Sequence, residues 1–292
     1  MTTSRSRLLV VGAGGFVGAA CTRALLAAGH QVFALEPARP VPEGATLLPG
    51  GLADTAEALA AARPDCVLNF AAFSAGPVGL ARSGEAAPER ALEVNALGFH
   101  ALLRAAQAAG VRRVLWSSST VAIGPATRDA REDEDVPCAP VTSYGLSKLL
   151  AEQVAGFFRR VHGMDITGIR LPLIFGPGLW YDGAAAAVKR LATGQPAAVG
   201  APDLPFDAAD VRDVARLFAL LVARPGLAAL YHLAGYTTTW REIAARCGAE
   251  LQPAPAGIAW PLVSQARLEQ DTGFACTHDL GATLRALRED CA

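Results

Sequence analysis

The sequence predicts an α/β fold in which a doubly wound parallel sheet is followed by a smaller mixed portion. Three observations point to it. Short apolar runs alternate with stretches of helical periodicity as far as residue 171, the pattern of a parallel sheet with crossover helices. The first run passes directly into a glycine-rich turn that opens a helix. After residue 171 the rhythm loosens, which divides the chain into residues 1–171 and a partly interleaved substrate-binding portion, 172–292.

The elements follow in order. Arg7 to Val11 has the apolar character of a buried parallel strand and feeds Gly12-Ala13-Gly14-Gly15-Phe16-Val17-Gly18, after which a helical pattern runs to Ala28. Glycines at 12, 15 and 18 permit a tight turn, close approach of backbone to a pyrophosphate, and close packing of helix on strand. Free N–H groups at the helix start suit phosphate. This strand-turn-helix context makes the fold Rossmann-type and residues 12, 15, 16, 17 and 18 candidate cofactor contacts.

The second strand, Gln31 to Leu35, ends at Glu36, whose carboxylate can accept hydrogen bonds from an adenosine ribose diol and would repel a 2′-phosphate. NAD is therefore favoured over NADP, although Arg39 stands close enough to serve a phosphate. Thr46 to Leu48 reads as a third strand, Asp54 to Ala62 as a helix, and Asp65 to Phe70 as a fourth strand running into Ala71-Ala72, small enough to let a cofactor approach. Gly76 to Pro88 reads as a loop, either covering substrate or simply exposed. Glu89 to Ala109 is helical, Arg113 to Trp116 a fifth strand leading to Ser117-Ser118-Ser119, and Asp165 to Leu171 a sixth. Strand ends on the carboxyl side of such a sheet bind ligands, which sets Ser119 in the right layer. Beyond them, Asp182 to Thr193, Val211 to Ala223, Trp240 to Cys247 and Thr283 to Arg288 read as helices and Ala229 to Leu233 as a strand.

Composition narrows the function. Charged residues make up 18 %, acids and bases nearly cancel at a net charge of -1, and no basic surplus points to nucleic acid or an anionic membrane. The longest apolar run, Leu217 to Ala223, is far short of the roughly 20 residues that span a bilayer. Arg5 and Arg7 before an apolar stretch resemble a signal peptide, but the same residues read better as strand, turn and helix. Six scattered cysteines without a Cys-x-x-Cys pair suggest reduced thiols in a cytoplasmic protein. The five histidines lack metal-ligand spacing, and no metal site is expected.

Ser143-Tyr144-Gly145-Leu146-Ser147-Lys148 carries the chemistry. On a helix, Tyr144 and Lys148 project from one face. A phenol titrates near pH 10, and a nearby ammonium stabilises its phenolate, an arrangement suited to proton transfer.

Taken together, the sequence resembles an extended short-chain dehydrogenase/reductase of the NAD-dependent epimerase/dehydratase family over nearly its whole length. Gly12, Gly15 and Gly18 fall on the glycine motif; Pro88 to Asn95 with Gly98 resembles the family's Pro…Val-Asn-x-x-Gly helix. Arg170 with Gly176-Pro177, Asp213-Val214-Ala215, and the segments Leu268 to Phe274 and Leu280 to Leu287 resemble later motifs. The resemblance implies a triad of Ser119, Tyr144 and Lys148, with Tyr144 as acid/base, Lys148 on the cofactor ribose and Ser119 on the reacting oxygen. It further implies a homodimer through helices 89–109 and 145–162, involving Leu92, Phe99, Leu149, Gln153 and Phe157.

Departures from the family pattern bear on substrate. Thr120 and Val121 replace the Asp-Glu pair of sugar-nucleotide dehydratases, Leu173 replaces an Asn near the nucleotide-sugar phosphates, and Leu204-Pro205-Phe206 replaces Arg-Asp-Phe. Between Pro172 and Asp210 only Lys189 and Arg190 are basic, a thin supply for a diphosphate. Gly51 stands where an Asp often meets adenine, leaving Asp54 or backbone groups to serve. The expectation is an NAD-dependent dehydrogenase or reductase acting on a small polyol, sugar, sugar acid or hydroxy acid. The rivals are a sugar epimerase with the same triad and an NAD-binding sensor or scaffold without chemistry.

Overall fold

Four of the five residues in strand β1, Arg7–Val11, are fully shielded, because the strand lies mid-sheet with helices on both faces. The computed structural model describes residues 5–126, 130–255 and 257–291. The remaining strands are β2 (Gln31–Glu36), β3 (Thr46–Pro49), β4 (Cys66–Asn69), β5 (Arg113–Ser119), β6 (Asp165–Leu171), β7 (Leu173–Phe175), β8 (Ala197–Val199), β9 (Phe206–Asp210), β10 (Leu230–His232), β11 (Tyr236–Thr238) and β12 (Leu251–Pro253).

Seven strands form one parallel sheet in the order β10-β6-β5-β4-β1-β2-β3. The order reverses between β1 and β4, so a crevice opens there at the carboxyl ends of the strands. One face packs against helices Phe16–Ala27 and Val211–Val222 through Leu8, Val10, Leu25, Leu217 and Phe218. The other packs through Leu9, Val11, Phe99, Leu102, Trp116 and Phe158 against helices Thr55–Ala62, Gly98–Ala108 and Ser143–His162. Both β10 and helix Val211–Val222 come from beyond residue 171 and complete the large sheet and its layer.

Two small sheets stand beyond the carboxyl edge. One has the order β11-β9-β7, with β7 parallel and β11 antiparallel to β9; the other pairs β12 with β8. Residues 76–88, expected as a loop, instead hold a short 3₁₀ turn, Gly76–Val78, and a helix, Leu80–Ala86. Gly79 (φ +81°) supplies the left-handed backbone that starts this helix, and the Ser83 hydroxyl is buried within it, donating to the Gly79 carbonyl at 2.7 Å. The expected helix at 89–109 runs from Pro88 to Ala108, with one π turn at Glu93–Leu97. Among the described residues no helix is long and apolar enough to cross a membrane, and no group of histidines, cysteines or acids could hold a metal ion.

Candidate active site

A crevice of about 1110 Å³ lies along the carboxyl ends of β1, β2, β4 and β5 and continues under the small sheet of β7 and β9. Its floor is the glycine turn. Gly12 has φ +79°, and a Cβ there would stand 2.8 Å from the Ala71 nitrogen. At Gly18 a Cβ would fall 2.0 Å from the Gly12 carbonyl oxygen, so the helix sits against the turn only because position 18 lacks a side chain. The first turn of that helix holds no acidic residue, leaving its partial positive charge free for an anion. Gly12, Gly15, Phe16, Val17, Gly18, Glu36 and Ala71 all line the crevice.

The buried Glu36 carboxylate is oriented by backbone: Oε2 accepts from Gly14 N–H at 2.9 Å and Oε1 from Arg39 N–H at 3.2 Å. Arg39, which could have served a 2′-phosphate, instead stacks its guanidinium on the Trp180 ring. Asp54 departs from expectation. Its Oδ2 turns back to accept from Gly51 N–H at 2.8 Å, and Gly51, Leu52 and Ala53 line the crevice in its place.

The same crevice holds Ser119, Tyr144 and Lys148. Helix Ser143–His162 begins at Thr142, whose side chain accepts from Gly145 N–H at 3.0 Å. Gly145 must be small, since a Cβ would stand 2.5 Å from the Val121 carbonyl oxygen, and Gly84 must be small because Tyr144 packs directly on it. A polar relay fixes the helix from behind: Phe73 N–H donates to Asn95 Oδ1 at 2.7 Å, Asn95 Nδ2 to Ser147 Oγ at 2.9 Å, and Ser147 Oγ–H to the Tyr144 carbonyl at 2.7 Å. The π turn carries Asn95, in keeping with the frequency of such bulges at functional sites.

Burial pushes the Tyr144 phenol well above its usual pKa and nearby Tyr181 adds to this, while a hydrogen bond from Ser119 opposes them. Lys148 donates from Nζ to the Ser117 carbonyl at 2.9 Å and lies 5.8 Å from the Tyr144 ring centroid. Burial draws its pKa down to about 8, against the pull of Glu152. Glu152 also accepts from Ser118 Oγ at 2.6 Å and grips Arg170 through both oxygens at 2.9 and 2.8 Å. Sequence reading missed Glu152, although it continues the four-residue spacing of Tyr144 and Lys148.

The sequence matches the NAD dependent epimerase/dehydratase family over residues 8–242. The chain belongs to that family. A UDP-glucose 4-epimerase from Thermus thermophilus, solved in complex with NAD, superposes with a TM-score of 0.85 at 25 % identity, covering 97 % of this chain and 98 % of that one. A UDP-glucose 4-epimerase from Lactobacillus helveticus is 27 % identical over 56 % of this chain and 50 % of its own length. A uronate dehydrogenase from Pseudomonas putida is 31 % identical over 58 % of this chain and 62 % of its own. The chain thus spans about half the length of the first of these curated relatives. NAD is the cofactor of this family's fold, and the glycine floor, the unopposed helix start and the oriented Glu36 fit it.

Residues 179–181, to which the sequence pattern assigns no element, close part of the crevice. Trp180 reaches Arg39, and Tyr181 packs edge-on to Phe16 at 6.0 Å. Phe206 and Trp260, also missed, line the far side. These aromatics are scattered through the chain and show no periodicity, so only the fold brings them together.

Proposed function

We propose that this family member carries out reversible hydride transfer at a secondary alcohol or ketone of a small substrate, with Ser119, Tyr144 and Lys148 as its catalytic groups. The observation that carries the reading is the convergence of those three side chains on the crevice floored by the glycine turn. When bound, NAD would supply the hydride acceptor for oxidation and, in its reduced form NADH, the hydride donor for reduction. Tyr144 takes the hydroxyl proton as the alcohol becomes a ketone and returns it in reduction. Ser119 hydrogen-bonds the reacting oxygen, and Lys148 binds the cofactor ribose while its ammonium favours the phenolate. Residues 1–171 supply most of the cofactor contacts, and 172–292 most of the substrate wall.

A small substrate, of the class of polyols, sugars, sugar acids or hydroxy acids, is supported by the shortage of cations for a diphosphate. Lys189 and Arg190 do not line the crevice; of the arginines that do, Arg90 pairs with Glu93 and Arg82 is exposed at the rim. Arg212 is held by Asp210 at 2.7 Å, and Arg39 is stacked on Trp180. The test is a screen of alcohols read by NADH absorbance. Tyr144→Phe should lower turnover by about 10²-fold or more while NAD still binds, and wild-type turnover in that variant would refute the assignment.

An epimerase is the second reading, favoured by the segment around Trp180, which would retain a cofactor that never leaves. NAD copurifying at one equivalent, without net NADH on addition of substrate, would select it. We also propose a homodimer in the cytoplasm. Leu97, Leu146, Leu150, Phe157 and Val161 are exposed on the two helices named above, whereas Phe99 and Leu102 face their own sheet. Light scattering should give twice the mass of the 292-residue chain and fall to one for Phe157→Asp. All six thiols are free, as a reducing compartment would keep them.

A further inference from the structure

Beyond the triad the crevice is walled by Val121, Leu173, Phe206, Trp260 and Pro261. The wall is built rigidly. Phe206 packs on Trp240, ring centroids 5.1 Å apart. The segment carrying Trp260 and Pro261 is pinned on both sides: Ala126 N–H donates to the Ala259 carbonyl at 2.8 Å, and Glu132 N–H to the Leu262 carbonyl at 2.9 Å. Val263 N–H then donates to Asp207 Oδ2 at 2.8 Å.

Most buried polar side chains in this half are already engaged. Asp207, the buried acid of the wall, accepts from Thr237 Oγ1 at 2.6 Å, from Arg131 at 3.1 Å and from Val263 N–H. Ser74 and Thr120 direct their hydroxyl protons to backbone carbonyls, of Gly76 at 2.8 Å and of Leu171 at 3.5 Å. Ser119 and Tyr144 serve the reacting oxygen. The Tyr181 hydroxyl makes no hydrogen bond among the described residues, and Arg82 and Asp182 are exposed at the rim.

From this we infer that the substrate is a secondary carbinol on an apolar alicyclic or aromatic ring, with at most one further polar group, beside Tyr181. The inference rests on the proposed hydride transfer, and it sets aside the polyols and sugars of that reading in favour of ring carbinols with few polar groups. A ring hydroxylated all round would bury several hydroxyls against carbon, each losing its water without gaining a partner. An apolar ring loses nothing there and gains contact with Phe206 and Trp260.

Cyclohexanol and myo-inositol share one ring and differ in hydroxyl count, so they isolate the point. Two readouts are needed: NADH formation, and saturation-transfer NMR of each compound on NAD-loaded full-length protein. Cyclohexanol should show saturation transfer and a kcat/KM on the order of 10²-fold above that of myo-inositol. Phe206→Asn should erode that preference mainly through KM, and Trp260→Leu, which keeps the wall apolar, should largely preserve it. Stronger saturation transfer or faster turnover with myo-inositol overturns the inference. Cyclohexanol that binds in preference to myo-inositol yet yields no NADH upholds the apolar subsite and refutes hydride transfer instead.

Discussion

The guanidinium carbon of Arg39 lies 3.5 Å from the centroid of the Trp180 ring, joining the end of β2 to the segment after β7 across the mouth of the cofactor crevice. Gly178 and Gly183, both with φ +81°, bracket that segment and supply its backbone turns. The stack is worth about 0.5–2 kcal/mol depending on its exposure.

Trp180→Ala should therefore speed NADH release by roughly 2- to 30-fold, read by stopped-flow fluorescence. Arg39→Ala should match it, and the double variant should add little because one contact is lost in all three. An unchanged release rate in a folded Trp180→Ala protein would show that cofactor exit bypasses this contact.

The pH dependence of turnover follows from Tyr144 and Lys148. With its pKa raised by burial, Tyr144 is a phenol at neutrality, a proton donor ready for ketone reduction. Lys148, drawn down to about 8, loses its charge as pH rises through that value. Reduction uses both groups protonated, so its kcat/KM should fall above about pH 8, whereas oxidation needs the phenolate and, with the phenol held above its usual range, should rise only on the alkaline side. Lys148→Met should abolish the limb near pH 8. A reduction profile flat from pH 6 to 10 would exclude this assignment.

Glu152 is the support beneath both. Arg170 is almost fully enclosed, its side chain 3 % exposed, and Glu152 is its carboxylate partner. Removing one partner of a buried pair leaves an uncompensated charge, so Glu152→Ala should cost about 3–5 kcal/mol and lower the melting temperature by on the order of 10 °C. Glu152→Gln, which keeps an oxygen for the Ser118 hydroxyl, should cost less. Lys148 would also lose the carboxylate that raises its pKa, moving its titration below about 8. A Glu152→Ala protein as stable as the parent would mean Arg170 finds another partner.

How far the sequence announced all this depends on which interactions are local. Strands β1 and β6 and helix Trp240–Cys247 match their expected ends, because an apolar run or an amphipathic period bounded by glycine or a cap is written in consecutive residues. Of the three-residue strands only β10 was anticipated; β7, β8, β11 and β12 were illegible, since so short a strand is defined by its partner and not by its own pattern. Helix Leu80–Ala86 was hidden by its Gly, Ser and Pro neighbours, which read equally as loop. Within the site, the glycine floor and the triad were legible as spaced motifs. Phe206 and Trp260 were not, because they stand 54 positions apart in the chain.

His232 gives the last prediction. It is fully enclosed, its Nε2 lies 3.0 Å from Arg170 Nη1 and its Nδ1 3.2 Å from the Glu132 carbonyl. Arginine can only donate, so Nε2 is the acceptor and Nδ1 carries the hydrogen. A second proton would have to sit against the guanidinium. Burial, then Arg170, accordingly draws the pKa of His232 down to about 3. The unfolded chain takes up that proton near pH 6.5 and the folded one does not, so the stabilisation is complete above about 6.5 and declines as pH falls towards 3. The loss approaches about 1.4 kcal/mol per pH unit. The depressed pKa of Asp213 moves its own loss to below about pH 4, leaving the interval from 6.5 to 4.5 mainly to histidine. His30, also lowered by burial, contributes in the same direction. His232→Gln keeps an acceptor for Arg170 and removes the titration. Urea unfolding at pH 6.5 and 4.5 should therefore show a smaller difference in stability for the variant than for the parent, and equal differences would mean that His232 is protonated inside the fold.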